Sequence, residues 1–185
     1  MQIEYTPIEG CFIIHDTFFG DSRGYFFESF NRNTFLEKTG VAVDFVQDNQ
    51  SSSSKGVLRG LHFQHGEFAQ AKLVRVLSGA VLDVAVDLRK DSKTFGQHVA
   101  VELTGESRTQ FFVPRGFAHG FVVLSEHATF FYKCDNYYHK ASEGGVIYND
   151  ADLAIDWQIN PALIQLSEKD RVLPNLRDCV NTLQF

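Results

Sequence analysis

Cysteine is scarce and unpaired in this chain. Three occur in 185 residues, Cys11, Cys134 and Cys179, scattered and odd in number. That excludes a disulfide-framed secreted scaffold, and their spacing matches no metal-ligand pattern; a reducing cytoplasm fits. No block of Lys or Arg occurs, and the formal net charge is -6. General nucleic-acid binding is therefore excluded, and any anion site has to be local, built from a few converging cations. No apolar run approaches membrane-spanning length. The opening MQIEYTPIEG lacks the charged and then apolar pattern of a signal peptide, so none is expected. No repeat or linker divides the chain, and a single domain over residues 1–185 is expected.

What the chain does contain is β pattern and phenylalanine. Hydrophobic residues make up 44%, and 18 are Phe. Most of those rings must fill a core, but some are free to stack on a ligand. Residues 2–6 and 11–18 read as strands, 20–24 as a turn and 24–30 as a strand. Residues 31–40 read as a helix, with Asn31 or Asn33 as N-cap and Gly40 as stop. Residues 45–49 return to strand, and the serine run 51–55 reads as a loop. Residues 73–77 and 80–88, about a Ser78-Gly79 turn, read as a hairpin. Strands follow at 98–103, 109–113, 120–124 and 128–134, and a short helix is expected within 160–185. Many short strands with few peripheral helices give an all-β sandwich or barrel.

Two stretches carry chemistry. In KGVLRGLHFQ, residues 55–64, strand alternation puts Val57, Arg59 and Leu61 on one side, and Leu58, Gly60 and His62 on the other. His62 among apolar neighbours is either a satisfied core histidine or a general base in a cavity. In VPRGFAHG, residues 113–120, a Pro-x-Gly-x-x-His turn leads into a strand, resembling the second signature of the cupin jelly roll. In many cupins that histidine binds a metal. Here Lys72 occupies the expected glutamate distance before Gly79, and an ammonium cannot ligate a divalent ion, so no metal and no cofactor is expected.

DSRGYFFESF, QDNQSSSSKGVLRGLHFQ, AQAKLVRVLSGAVLDVAVDLRKDSKTFG, FFVPRGFAHGFVVL, FYKCDNYY and YNDADLAIDW stand in the same order as motifs of the dTDP-4-dehydrorhamnose 3,5-epimerases. The resemblance spans about residues 10–170. It implies a metal-independent cupin jelly roll that forms a homodimer with exchanged N-terminal strands. The substrate it implies is a dTDP-4-keto-6-deoxyhexose, dTDP-4-dehydro-6-deoxy-glucose, converted to dTDP-4-dehydro-rhamnose.

By the same resemblance His62 is the base, Asp170 its orienting partner and Tyr132 the proton donor. Lys72 would face the developing oxyanion and His119 would hydrogen-bond the sugar. Arg23 and Arg59 match diphosphate positions, where a planar fork suits phosphate oxygens. Gln47, Asp48 and Asn49 match a base- or phosphate-binding motif, and Glu28 an acidic position near the nucleoside. Phe26 and Tyr138 match rings that sandwich thymine. Glu143 and Lys169 match further substrate contacts. The chain departs from the family at Gln50, where His is common, and at HGEF after Phe63-Gln64. A mono-epimerase inverting only carbon 3, a non-catalytic nucleotide-sugar-binding jelly roll and a metal cupin oxygenase remain as other readings.

Overall fold

The computed structural model describes residues 1–183 and 185. Its elements in chain order are β1 (Gln2–Tyr5), β2 (Phe12–His15), β3 (Phe19–Asp21), β4 (Gly24–Phe26) and α1 (Arg32–Thr39). There follow β5 (Gln47–Ser54), β6 (Leu58–Gln64), β7 (Lys72–Ser78), β8 (Ala80–Asp87) and β9 (His98–Thr104). The chain continues with β10 (Thr109–Val113), β11 (Phe117–Val123), β12 (His127–Cys134) and β13 (Glu143–Gly145), then α2 (Glu168–Arg171) and α3 (Leu176–Cys179). Two sheets face each other, in the orders β1-β2-β10-β7-β12-β5 and β13-β6-β11-β8-β9. This is the expected jelly-roll sandwich.

Alternation along each strand explains the layers. Between the sheets lie Val74, Val76, Val81, Ala85, Phe111, Phe121 and Phe130. The outer face of the second sheet, with Leu58, Leu61, Phe63, Leu82 and Val84, is covered by Leu153, Trp157, Leu176 and Leu183 of the C-terminal segment. The outer face of the first, with Phe12, Leu73 and Phe112, is covered by Phe35 of α1 and by Val43. β8 is therefore apolar almost throughout, because both of its faces are buried. α1 is capped as the sequence indicates: Asn31 accepts from the amides of Asn33 and Thr34, and Gly40 closes the other end.

Three sequence expectations are corrected. The serine run is not a loop. β5 continues through it to Ser54, pairing residue by residue with β12 as an edge strand, and pairing overrides serine's weak strand preference. Residues 73–88 are not a hairpin: β7 pairs with β10 and β12, whereas β8 pairs with β11 and β9. The chain crosses from one sheet to the other at Ser78-Gly79.

The third correction concerns β6. His119 of β11 stands opposite His62, and Phe121 opposite Arg59, so two steps on β11 span three on β6. This bulge re-phases the strand. Arg59 and His62, assigned to opposite sides by simple alternation, share the inner face, while Leu58 and Leu61 share the outer cluster. Gly60 makes the bulge possible. Its φ is +139°, and a Cβ there would lie 2.5 Å from the Gly120 Cα of β11. Gly60→Ala is expected to cost about 2 kcal/mol or more, read as a lowered urea midpoint with unchanged slope. The surviving folded fraction should have Arg59 and His62 displaced.

Candidate active site

A cavity of about 590 Å³ opens between the sheets. Arg59, His62 and His119 enter it from one sheet; Asn49, Lys72 and Tyr132 enter from the other; Lys169 and Asp170 close it from the C-terminal segment. Of the residues named from sequence, these eight line one space.

Asp170 lies 108 residues from His62, and backbone contacts deliver it. Val57 bridges Gln165 in parallel, the Leu58 amide donates to the Gln165 carbonyl, and the Gln165 amide donates to the Gly56 carbonyl. Gly56 permits the docking, since a Cβ there would strike the Leu163 carbonyl. Two residues past Gln165, Ser167 caps α2 by accepting from the Asp170 amide. That turn sets the Asp170 carboxylate 2.6 Å from His62 Nε2. Asp170 is 3% exposed. Burial alone would raise its pKa, but the hydrogen bond and charge of His62 outweigh it and hold the carboxyl below its ordinary value. An ionised Asp170 accepts the Nε2 proton, which leaves Nδ1 as the basic nitrogen of His62.

The opposing wall differs. Burial pushes the Tyr132 phenol up to about 12, so it keeps its proton at neutral pH. Lys72 Nζ lies 5.8 Å from the centre of the Tyr132 ring. Burial lowers the Lys72 pKa, with Cys134, Asp83 and Glu143 opposing. Its charge is thus costly to hold in this buried place and best used when a negative charge develops beside it.

His119 belongs to a second imidazole–carboxylate pair. Its Nε2 lies 2.8 and 3.0 Å from the two Asp83 oxygens, with both side chains buried. Asp83 was not among the residues singled out from sequence. Its signal was an acid inside the apolar run VLDVAVD, where an unpaired carboxylate is too costly to bury.

The contacts of the other residues named from sequence separate them into distinct groups. Gln47 donates to the Asn49 side chain and accepts from the Tyr138 amide. Tyr138 Oη and Lys169 Nζ both donate to Glu143, and these contacts, with Lys169 first among them, hold its pKa below the usual value against burial. Gln47, Asn49, Tyr138, Glu143 and Lys169 thus form one connected rim. Asp48 sits apart, bound at 2.9 and 3.0 Å by Lys133 Nζ. Arg23, Phe26 and Glu28 lie on or beside the β3–β4 arm, away from this cavity: Arg23 pairs with Asp21, Phe26 is 71% exposed, and Glu28 accepts from Asn31. Arg59 donates to Ser53 through Nε and Nη2, tying the two sheets beside the cavity. His65 lies outside it, against Phe63 and Phe185. Among the described residues, no three His, Cys, Asp or Glu side chains gather in a way that would hold a metal.

The His62 proton is expected on Nε2. ¹⁵N NMR of the imidazoles should show that tautomer in the parent protein and a mixture of tautomers in Asp170→Asn. Proton abstraction by the site should fall roughly 10²–10⁴-fold in the variant.

The chain matches the family model for dTDP-4-dehydrorhamnose 3,5-epimerase over residues 5–178. It is 53% identical to the dTDP-4-dehydrorhamnose 3,5-epimerase of Salmonella typhimurium over 182 residues, 98% of this chain and 99% of that one. Its fold superimposes with a TM-score of 0.93 on the crystal structure of that enzyme from Elizabethkingia anophelis, at 58% identity, covering 96% of this chain and 97% of the other. A Legionella pneumophila dTDP-6-deoxy-D-glucose-3,5-epimerase, solved in complex with dTDP-4-keto-L-rhamnose, gives a TM-score of 0.92 at 51% identity, covering 95% and 93%. Motif order, sandwich topology and near full-length identity agree, and the chain belongs to the dTDP-4-dehydrorhamnose 3,5-epimerase family.

Proposed function

We propose that the protein inverts carbons 3 and 5 of dTDP-4-dehydro-6-deoxy-D-glucose, giving dTDP-4-dehydro-L-rhamnose. It is an isomerase acting in dTDP-L-rhamnose biosynthesis. One observation carries the chemistry: His62 and Tyr132 come from opposing sheets into one cavity that also holds Lys72.

The C4 ketone acidifies the hydrogens on its two neighbouring carbons. His62 Nδ1 takes a proton from one face of the sugar. The C–H electron pair becomes the new C=C bond, and the carbonyl pair moves to oxygen. The Lys72 ammonium stabilises that enolate oxygen, and it does so more strongly than it could in water because the site is buried. Tyr132 returns a proton to carbon from the opposite face; solvent then re-protonates the phenolate and takes the proton held by His62, so both groups are reset before the second carbon reacts. The same exchange serves both carbons. His119, fixed by Asp83, hydrogen-bonds the sugar.

The nucleotide end is held by side chains with the matching chemistry. Arg23 and Arg59 take the diphosphate. Gln47, Asn49 and Glu28 hydrogen-bond the nucleotide, and Phe26 and Tyr138 flank thymine. Glu143 and Lys169 complete the rim as substrate contacts. Asp48 lies opposite Lys133 on the other face of the β5–β12 pair and holds that ammonium there, outside the residues that line the cavity.

We further propose a homodimer in which each arm reaches the partner's cavity. Arg23, Phe26 and Glu28 are the motive, because in a single chain they lie away from the cavity lined by His62. A cytoplasmic location fits three buried free thiols.

Deuterium wash-in read by NMR tests the mechanism. With His62→Asn, neither carbon should exchange or invert, while dTDP still binds. With Tyr132→Phe, exchange should persist while inversion fails or stops after one carbon. Loss of all exchange in Tyr132→Phe together with its retention in His62→Asn would reverse the assignment. The assembly has its own check: sedimentation equilibrium at micromolar concentration should return twice the chain mass. A fully active monomer would sink the exchanged dimer.

A further inference from the structure

The chain leaves the sandwich after Asp16 and rejoins it at Ser29. Between them, among the described residues, β3 and β4 pair only with each other, Phe19 with Phe26, Gly20 with Tyr25 and Asp21 with Gly24. Phe19 and Phe26 are 69% and 71% exposed. A two-stranded ribbon has little stability of its own. Its direction therefore depends on how it is rooted as well as on what it docks against.

The root is built largely by one short segment. Gln110 of β10, 3% exposed, donates through Nε2 to Asp16 Oδ2 at 2.7 Å and to the Ser29 carbonyl at 2.8 Å. Asp16 is on the outgoing leg and Ser29 on the returning one, so a single amide ties both. Two residues earlier, the Arg108 guanidinium lies 4.3 Å from the Phe18 ring and 4.0 Å from the Tyr25 ring. Again one group comes from each leg, and each ring attracts the cation. Arg75 of β7 adds a contact 4.8 Å from the Phe27 ring.

We propose that Gln110 and Arg108 form a clasp that aims the arm and thereby sets how tightly the nucleotide end of the substrate is held. They are positioning residues with no part in proton transfer, and neither lines the catalytic cavity. The inference rests on the reading above that the arm grips the nucleotide. Leverage explains why the root matters. Three paired residues reach about 10 Å at roughly 3.4 Å each, so a tilt of about 10° at the root moves the tip by about 2 Å. That is enough to break a bidentate guanidinium–phosphate contact. Loss of such an interaction, made equally in ground and transition states, raises KM and leaves kcat alone.

The variants are Arg108→Ala, Arg108→Lys and Gln110→Met. The first readout needs no substrate: amide hydrogen exchange of residues 17–28 should quicken by about tenfold in Arg108→Ala and Gln110→Met, with β8 and β11 unchanged. The second is dTDP affinity by calorimetry, together with KM and kcat for the nucleotide sugar. Kd and KM should rise about tenfold with kcat within about twofold, and Arg108→Lys should fall between Arg108→Ala and the parent. Parental exchange and affinity in both variants would overturn the clasp. So would faster exchange with parental dTDP affinity, or a fall in kcat at constant KM. Gln110→Met removes the donor facing a half-buried carboxyl; should it not fold, Arg108→Ala at its partly exposed site decides the matter alone. If the parent protein itself does not bind dTDP, the nucleotide reading falls and this proposal falls with it; exchange of residues 17–28 still shows whether the arm is clasped.

Discussion

The close approach of Gly60 to Gly120 is the constraint from which the site follows. Two paired strands approach closely there with no side chain between them, and β6 gains the extra residue that its partner does not match. Before the bulge the inner face holds Arg59; after it the inner face holds His62. Without the offset one of the two would point into the apolar layer beneath the C-terminal segment, where a cation or an imidazole lacks a partner. A single irregularity thus lets one strand present a guanidinium and an imidazole side by side, and the alternation beyond it still buries Leu61 and Phe63.

Electrostatically the cavity is arranged as two supported imidazoles facing a phenol and an ammonium. Each histidine is held by a carboxylate behind it, His62 by Asp170 and His119 by Asp83. On the opposite wall burial acts in two directions at once: it keeps Tyr132 protonated and makes the Lys72 charge expensive. In the proposed mechanism an enolate between the walls would relieve the cost of the Lys72 charge and take a hydrogen bond from the still-protonated Tyr132. The groups are therefore complementary to an intermediate more than to a neutral ketone.

Much of this was legible in the sequence, and the failures have physical causes. The caps Asn31 and Gly40 and most strand positions follow from local signals that tertiary structure did not oppose. His62 and Asp170 meet as the family resemblance implied. The serine run was misread because local composition favours a loop, whereas the β12 ladder supplies the partners that make it a strand. The supposed hairpin at Ser78-Gly79 has a tight turn's composition, but only the pairing of its two arms with other strands reveals that the chain changes sheets. The faces of β6 were misassigned because a bulge has no periodic signature. Asp83 was overlooked because its role depends on a histidine that is 36 residues distant and on the adjacent strand.

The docking of Gln165 against Gly56 also bears on when the His62–Asp170 pair comes into existence. During synthesis the N-terminal part of a chain emerges first and begins to fold before the rest. Both sheets are encoded by residue 145, so all of their strands and His62 leave the ribosome before Asp170 does. The cavity at that stage has its imidazole without its carboxylate, and the outer face of β6, β11 and β8 lacks its C-terminal cover. One late segment supplies both. The His62–Asp170 contact and the cover over the apolar outer face of the sheet therefore arrive together, from the same late segment.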